Sequence, residues 1–257
     1  GVAVQDVASA DVLAMVSVPT YNLNTMRKDY DKLLNDPKRP LRSKACVETY
    51  PPGSVIKPII LVACREEKKV TPGEVISCPP NSAPRGWPDC LQFSRFHSCH
   101  DWKWQGQGGN CGRNAIKGSC NIYFSRLADR LESRALQKWL FSFGYGRAVL
   151  QGPPFEEMLD GLDRNAGTDR TLPEAGGIIS SQFPPRNVKS FEQIPKLKSY
   201  EKRMFGIGQA SLRATPLQVS TAMATIARNG IFKAPRLFLA GNDVFNSSSA
   251  VDLHLGS

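Results

Sequence analysis

Tyr50-Pro51-Pro52-Gly53-Ser54-Val55-Ile56-Lys57-Pro58-Ile59-Ile60-Leu61-Val62-Ala63-Cys64 is the stretch from which the rest of the chain can be read. Pro-Pro-Gly stops whatever precedes it, and the apolar run after Ser54 predicts a buried helix. Pro58 falls within the first turn, where a missing N–H does least harm. Ser54 and Lys57 are three residues apart, so on a helix they share a face and an amine can lie beside a hydroxyl. A serine hydroxyl is a poor nucleophile at its ordinary pKa and needs a neighbouring base. Lysine can be that base only when burial or nearby positive charge lowers its pKa, and Val55, Ile56 and Ile59 supply the desolvation. At the helix start the Ser54 N–H has no intrahelical acceptor and can face an oxyanion. The plainer alternative is a capping serine and a solvated lysine. Spacing alone does not choose, because Ser199 and Lys202 repeat it without the Pro-Gly before or the apolar helix after.

Upstream, Val2 to Val7 and Val12 to Val18 are β-rich runs around a small polar turn, which predicts an antiparallel hairpin. Asn22 to Lys44 reads as loop with one short helical piece. Downstream, residues 71–112 are dense in Pro, Gly, Cys, Trp and Ser and read as an irregular insertion held by cross-links or packing. Asn114 to Leu131 and Ser133 to Phe143 read as two helices, the second closed by Gly144-Tyr145-Gly146. Residues 151–200 are loop-rich. A last helix runs from Pro216 to Arg228, with Thr215 as N-cap and Asn229-Gly230 as its end.

The chain has 257 residues, 41% apolar and 22% charged, with a mean hydropathy of −0.30, which fits a water-soluble globular protein with a substantial core. Its longest strongly apolar run, Pro58 to Cys64, is far short of the roughly 20 residues of a spanning helix, and no basic-then-apolar signal pattern opens it. A net charge of +10 favours acidic partners. No basic cluster is interleaved with aromatics, so the charge reads as a solvated basic surface and not as a nucleic-acid interface. Of seven cysteines, Cys78, Cys90, Cys99, Cys111 and Cys120 cluster, which fits either disulfides or a metal site.

Ser119-Cys120-Asn121 falls where the irregular segment gives way to helix, and a serine and an amide two apart can present polar groups into a cleft. Together with Ser54-x-x-Lys57 this resembles the transpeptidase domain of penicillin-binding proteins, most closely the elongation-type penicillin-binding protein 2 group. The likeness extends through blocks in family order: VLAMVSVPTYNLN at 12–24, YPPGSVIKP at 50–58, SCNIYF at 119–124, FGYG at 143–146 and GIGQASLRATPLQ at 206–218. It implies an α/β (α+β) fold of the transpeptidase and serine β-lactamase type, an antiparallel sheet flanked by helices with an α-helical subdomain, spread over 1–257 with 71–112 inserted. Ser54 would be the acylated nucleophile, Lys57 its base, Ser119 a proton relay to the leaving amine, and Asn121 a partner of substrate backbone and lysine.

Two departures stand out. The family's third element, Lys-Thr/Ser-Gly, is absent, and with it a second oxyanion donor, a loss on the order of 3 kcal/mol in barrier terms. The chain also ends soon after the last block, so a truncated domain with its C-terminal strands missing is expected. Ala210 stands where the family tends to have Gly. The resemblance implies peptidoglycan D,D-transpeptidation through a serine acyl-enzyme, with D-Ala-D-Ala stem peptides and β-lactams as partners. It also implies cell-elongation membrane proteins as a scaffold and a place at the periplasmic face of the inner membrane. A β-lactamase or D,D-carboxypeptidase, or a non-catalytic penicillin-binding module, is the alternative. Catalysis requires no cofactor. Some members of the group hold a zinc ion, and a structural zinc here would draw on Asp89, Asp101, Cys120 and His100 (or His97), Gln107 standing where the family's histidine is expected. The competing readings are disulfides, Cys99 with Cys111 or Cys78 with Cys90, and buried free thiols.

Overall fold

The computed structural model describes residues 1–150, 174–185, 188–237 and 250–255. The chain divides into two compact units. The first comprises Gly1–Tyr50, Arg147–Gly176 and Ala214–His254. Its opening hairpin forms as the alternation dictates: strands β1 (Val2–Gln5) and β2 (Val12–Val16) pair antiparallel, Val2 opposite Val16, with a register shift at Val4/Gln5. The turn closes on Asp6, whose carboxylate accepts the Ser9 N–H at 2.7 Å and whose carbonyl accepts the Ala10 N–H. Helix α1 (Tyr30–Leu34) is the short helical piece expected in the polar stretch.

The long helix of this unit, Pro216–Ala227, starts where Thr215 and Pro216 place it. Gln218 completes a capping box: Thr215 Oγ1 accepts the Gln218 N–H at 3.1 Å and Gln218 Oε1 accepts the Thr215 N–H at 2.9 Å. The helix packs on β1, and Gln5 donates to Thr221 Oγ1. Leu217 joins Cys46, Val149 and Phe232 in a small buried cluster against which Ala3, Val12 and Met15 pack. Strands β3 (Ile231–Phe232) and β4 (Val251–Asp252) form a second antiparallel pair.

The second unit, Pro51–Gly146 with Gly177–Arg213 and Leu255–Ser257, carries the site. The expected helix after Gly53 is in two pieces, a 3₁₀ turn Gly53–Ile56 followed by α2 (Lys57–Glu66), with Pro58 in its first turn. Ile56, Ile59, Ile60, Ala63 and Cys64 are buried along one side. Helices α6 (Asn121–Arg130) and α7 (Ser133–Ser142) pack against α2, and bring Tyr123, Phe124, Leu127, Leu136 and Leu140 into the core. Burial of each large apolar side chain is worth about 1.5–3 kcal/mol, so α2 is fixed at the centre of the unit by its sequence.

Two readings need correction. The helix expected over Asn114 to Leu131 breaks into α5 (Gly112–Lys117) and α6. At the break Ser119 has φ +52°, the Gly118 carbonyl is taken by His100 Nε2 at 2.9 Å, and Cys120 Sγ caps α6 by accepting the Tyr123 N–H at 3.4 Å. These local bonds replace the ladder a continuous helix would need. The insertion 71–112 is not irregular throughout: it forms α3 (Leu91–Phe96) and α4 (His100–Lys103), and of the two expected means of holding it, cross-links or packing, its cysteines stand as free thiols. Lys202, from the repeated Ser-x-x-Lys spacing, lies in α8 (Lys202–Phe205) and donates to the carbonyls of Asp129 and Leu131 at the end of α6, a structural role.

The turn that presents Ser54 is held from outside. Gly53 N–H donates to the Gly208 carbonyl at 3.0 Å, and Gly208 has φ +73°, its missing Cβ leaving room for the Gly53 backbone. Two residues on, Ala210 has φ +63°, so the position where the family tends to have Gly is a left-handed one that Ala occupies at a cost of about 1 kcal/mol. Among the described residues no helix is long and apolar enough to cross a membrane.

Candidate active site

Three elements meet at Lys57. The residue is 2% exposed, walled by the apolar face of α2 and by Phe124, whose ring centroid lies 5.6 Å from Nζ. Its three donors are spoken for: Nζ donates to the Ser119 carbonyl at 2.7 Å, to Ser119 Oγ at 3.0 Å and to Asn121 Oδ1 at 2.8 Å. Ser119 Oγ in turn donates to Ser54 Oγ at 3.0 Å. The nucleophile candidate, on the 3₁₀ turn, is exposed, whereas the amine behind it is not.

The four residues singled out in the sequence therefore come together, with one change in their order. Ser54 and Lys57 share a face, yet the amine reaches the Ser54 hydroxyl through Ser119. The 3₁₀ turn and the left-handed Ser119 together place that hydroxyl between them, the kind of backbone strain that collects at functional sites. Asn121 is fixed from its other end, Nδ2 donating to the Asp89 carbonyl at 3.2 Å.

Burial pulls the Lys57 ammonium down from its ordinary 10.5 to about 8, against an opposing pull from Cys120 and Cys90. At pH 7 the uncharged fraction then rises from about one in several thousand to about one in ten. An uncharged amine can take the Ser119 proton while Ser119 takes that of Ser54.

The transpeptidase domain model of penicillin-binding proteins matches residues 1–252. This chain belongs to that family. Among family members with curated names, the peptidoglycan D,D-transpeptidase MrdA of Haemophilus influenzae is 32% identical over 249 residues, 93% of this chain and 33% of that protein. Its counterpart in Escherichia coli K12 is 27% identical over 248 residues, 93% and 34% of the two chains. The crystal structure of Pseudomonas aeruginosa PBP2 in complex with WCK 5153 superposes with a TM-score of 0.63 at 28% identity, covering 92% of this chain and 48% of that one. The transpeptidase chain thus spans about a third of the length of these curated relatives. Its fold is that of the penicillin-binding protein transpeptidases, as the five sequence blocks implied.

The zinc set expected from the resemblance is only half assembled. Asp101 is occupied by its own loop, Oδ1 accepting the Cys78 N–H at 2.8 Å and Oδ2 the Ser77 hydroxyl at 2.7 Å. Asp89 Oδ1 accepts the Ala83 N–H at 2.8 Å. Both carboxylates therefore organise their own loops, and among the described residues neither joins the group formed by Cys78, Cys90 and His100. His97 lies at the exposed end of α3 against Phe93, and Gln107 offers its backbone, not its side chain, to Asn114 and Trp104.

His100 meets Cys78 and Cys90, two thiols for which a disulfide was one of the competing readings. His100 Nδ1 is 3.2 Å from Cys90 Sγ and 3.5 Å from Cys78 Sγ. Burial works against charge on His100, but hydrogen bonds to Cys120 and Cys90 outweigh it and push the imidazole up. The hydrogen bonds from Cys78 hold the Cys90 and Cys120 thiols below their ordinary value, and the same bonds hold Cys78 above it.

Proposed function

We propose that this chain is the acylation centre of a peptidoglycan D,D-transpeptidase, and the observation that carries the reading is the hydrogen-bond chain from buried Lys57 through Ser119 to exposed Ser54. In the acylation step uncharged Lys57 accepts the Ser119 proton and Ser119 accepts that of Ser54. Ser54 Oγ then bonds the carbonyl carbon of a D-Ala-D-Ala stem peptide. The tetrahedral oxyanion faces the Ser54 N–H in the first helical turn, where no intrahelical acceptor competes. Collapse breaks the C–N bond, and the terminal D-Ala nitrogen leaves with the proton handed back through Ser119. An amine of a neighbouring strand attacks the ester, loses its proton along the same chain, and frees Ser54. The Asn121 amide positions both the lysine and the substrate backbone.

A β-lactam presents the same carbonyl in a strained ring and would acylate the same oxygen, its amine staying tethered. The names of the MrdA relatives support this substrate class. By the same kinship the whole protein would work at the periplasmic face of the inner membrane beside cell-elongation membrane proteins, and a surface of net charge +10 suits a carboxylate-rich polymer.

Adduct lifetime separates this reading from a hydrolase of the same superfamily. After a penicillin pulse, intact mass of the purified protein is expected to show one penicilloyl group persisting for minutes or longer. An adduct lost within seconds, with turnover of the drug, would make the protein a β-lactamase instead.

A further inference from the structure

The Asn121 amide can lie either way round, and its two neighbours decide which. The Lys57 ammonium is a donor only, so the atom 2.8 Å from it is Oδ1. Nδ2 then faces the Asp89 carbonyl, an acceptor only, at 3.2 Å. Turning the amide over would set donor against donor at one end and acceptor against acceptor at the other. One Nδ2 hydrogen goes to Asp89, and the second is left for a substrate carbonyl. The Asp89 carbonyl thus sets the orientation of a group that serves both the lysine and the substrate.

That carbonyl ends a small closed loop of the insertion, residues 83–89. The Asp89 carboxylate accepts the Ala83 N–H at 2.8 Å, and the Trp87 N–H donates to the Pro84 carbonyl at 3.0 Å. Such internal bonds fix the shape of a loop but not where it sits. Its seat is Trp87, whose half-buried ring lies against the Arg203 guanidinium, with Cζ 4.0 Å from the ring centroid. Arg203 is itself anchored, Nε donating to Asp129 Oδ1 at 3.0 Å, while its neighbour Lys202 donates to the Asp129 and Leu131 carbonyls. Asp129 lies in the last turn of α6, the helix that begins with Asn121. The loop therefore runs from an anchor at the end of this helix to the side chain at its start, and no step of the acyl transfer uses Trp87 or Arg203.

We propose that Trp87 and Arg203 are positioning residues for acyl transfer: their stack seats loop 83–89 so that the Asp89 carbonyl keeps Asn121 turned with Oδ1 on Lys57 and an N–H toward the substrate. The inference rests on the acyl-transfer reading and adds to it two residues that touch neither Ser54 nor the reacting carbonyl.

Stopped-flow acylation by a fluorescent penicillin tests it. Trp87→Ala should slow acylation roughly tenfold, through a misplaced amide. Trp87→Phe keeps a ring on the guanidinium and should restore the rate. Arg203→Lys keeps a charge for Asp129 but loses the planar stack, so it should match Trp87→Ala. Coupling separates positioning from general loosening of the insertion: in an Asn121→Ala background, Trp87→Ala should change the rate by less than about twofold, because the group it acts through is gone. Loosening would slow both backgrounds alike. Trp87→Ala at the parent rate, no rescue by Trp87→Phe, or equal losses in the two backgrounds would overturn the assignment. Should Trp87→Ala not fold, Arg203→Lys with and without Asn121→Ala decides in the same way. A parent protein that forms no adduct would end the acyl-transfer reading and this inference together, whereas normal labelling of the parent beside unaffected variants ends the inference alone.

Discussion

Ser54→Ala is expected to abolish covalent labelling by a fluorescent penicillin. The adduct is an ester on Ser54 Oγ, so removing that oxygen removes the bond and not merely some rate. Ser54 is exposed and its one side-chain hydrogen bond is accepted from Ser119, so the fold should be little affected, within about 0.5 kcal/mol. A thermal-unfolding midpoint close to that of the parent protein beside a blank gel lane is the expected pair of results. Labelling that survives would place the nucleophile elsewhere and dissolve the proposed function.

The second large effect concerns Ser119. Its hydroxyl is, among the described residues, the group that touches both the Lys57 amine and the Ser54 oxygen, at 3.0 Å on each side. In Ser119→Ala the amine keeps its bonds to the residue 119 carbonyl and to Asn121, so it stays in place with no path for the proton. Loss of a positioned proton transfer costs about 10²- to 10⁴-fold. The acylation rate constant from stopped-flow labelling should fall by that much, with Ser54 still the residue modified. A rate within a factor of a few of the parent would mean that Lys57 reaches Ser54 directly, and the relay would be wrong.

Much of this site was legible in the residues. Pro52-Gly53-Ser54 followed by an apolar run is enough to place a nucleophile candidate at the mouth of a buried helix, and the helix read over Ser133 to Phe143 falls where packing on α2 requires it. Long periodic segments with capping residues read well because their local preference and their burial agree. What spacing could not show was the order of contacts. The relay depends on a 3₁₀ turn at Gly53–Ile56 and on Ser119 with positive φ, and both are tertiary outcomes set by the Gly208 backbone and by His100.

The cysteines stayed open between disulfides, a metal site and free thiols for a related reason. Proximity in sequence suggested pairs, while in the fold Cys99 and Cys120 each accept a backbone N–H at a helix start, as serine would, and Cys78 and Cys90 face a histidine. Asp89 and Asp101 looked like ligands because carboxylates serve metals well, yet each satisfies loop N–H groups that nothing else reaches. A signal was present for Gln218, since Thr followed three residues later by Gln before an apolar run is a capping box.

The central claim is that Ser54 is activated by an uncharged amine, and the pH profile of acylation tests it most directly. Burial holds Lys57 near 8, and only the deprotonated form can accept a proton. The second-order rate constant for penicillin acylation should therefore rise about tenfold per pH unit below about 8 and level off above it. A rate that stays flat from about pH 6 to 9, or one still climbing toward the ordinary lysine range near 10.4, would contradict the account.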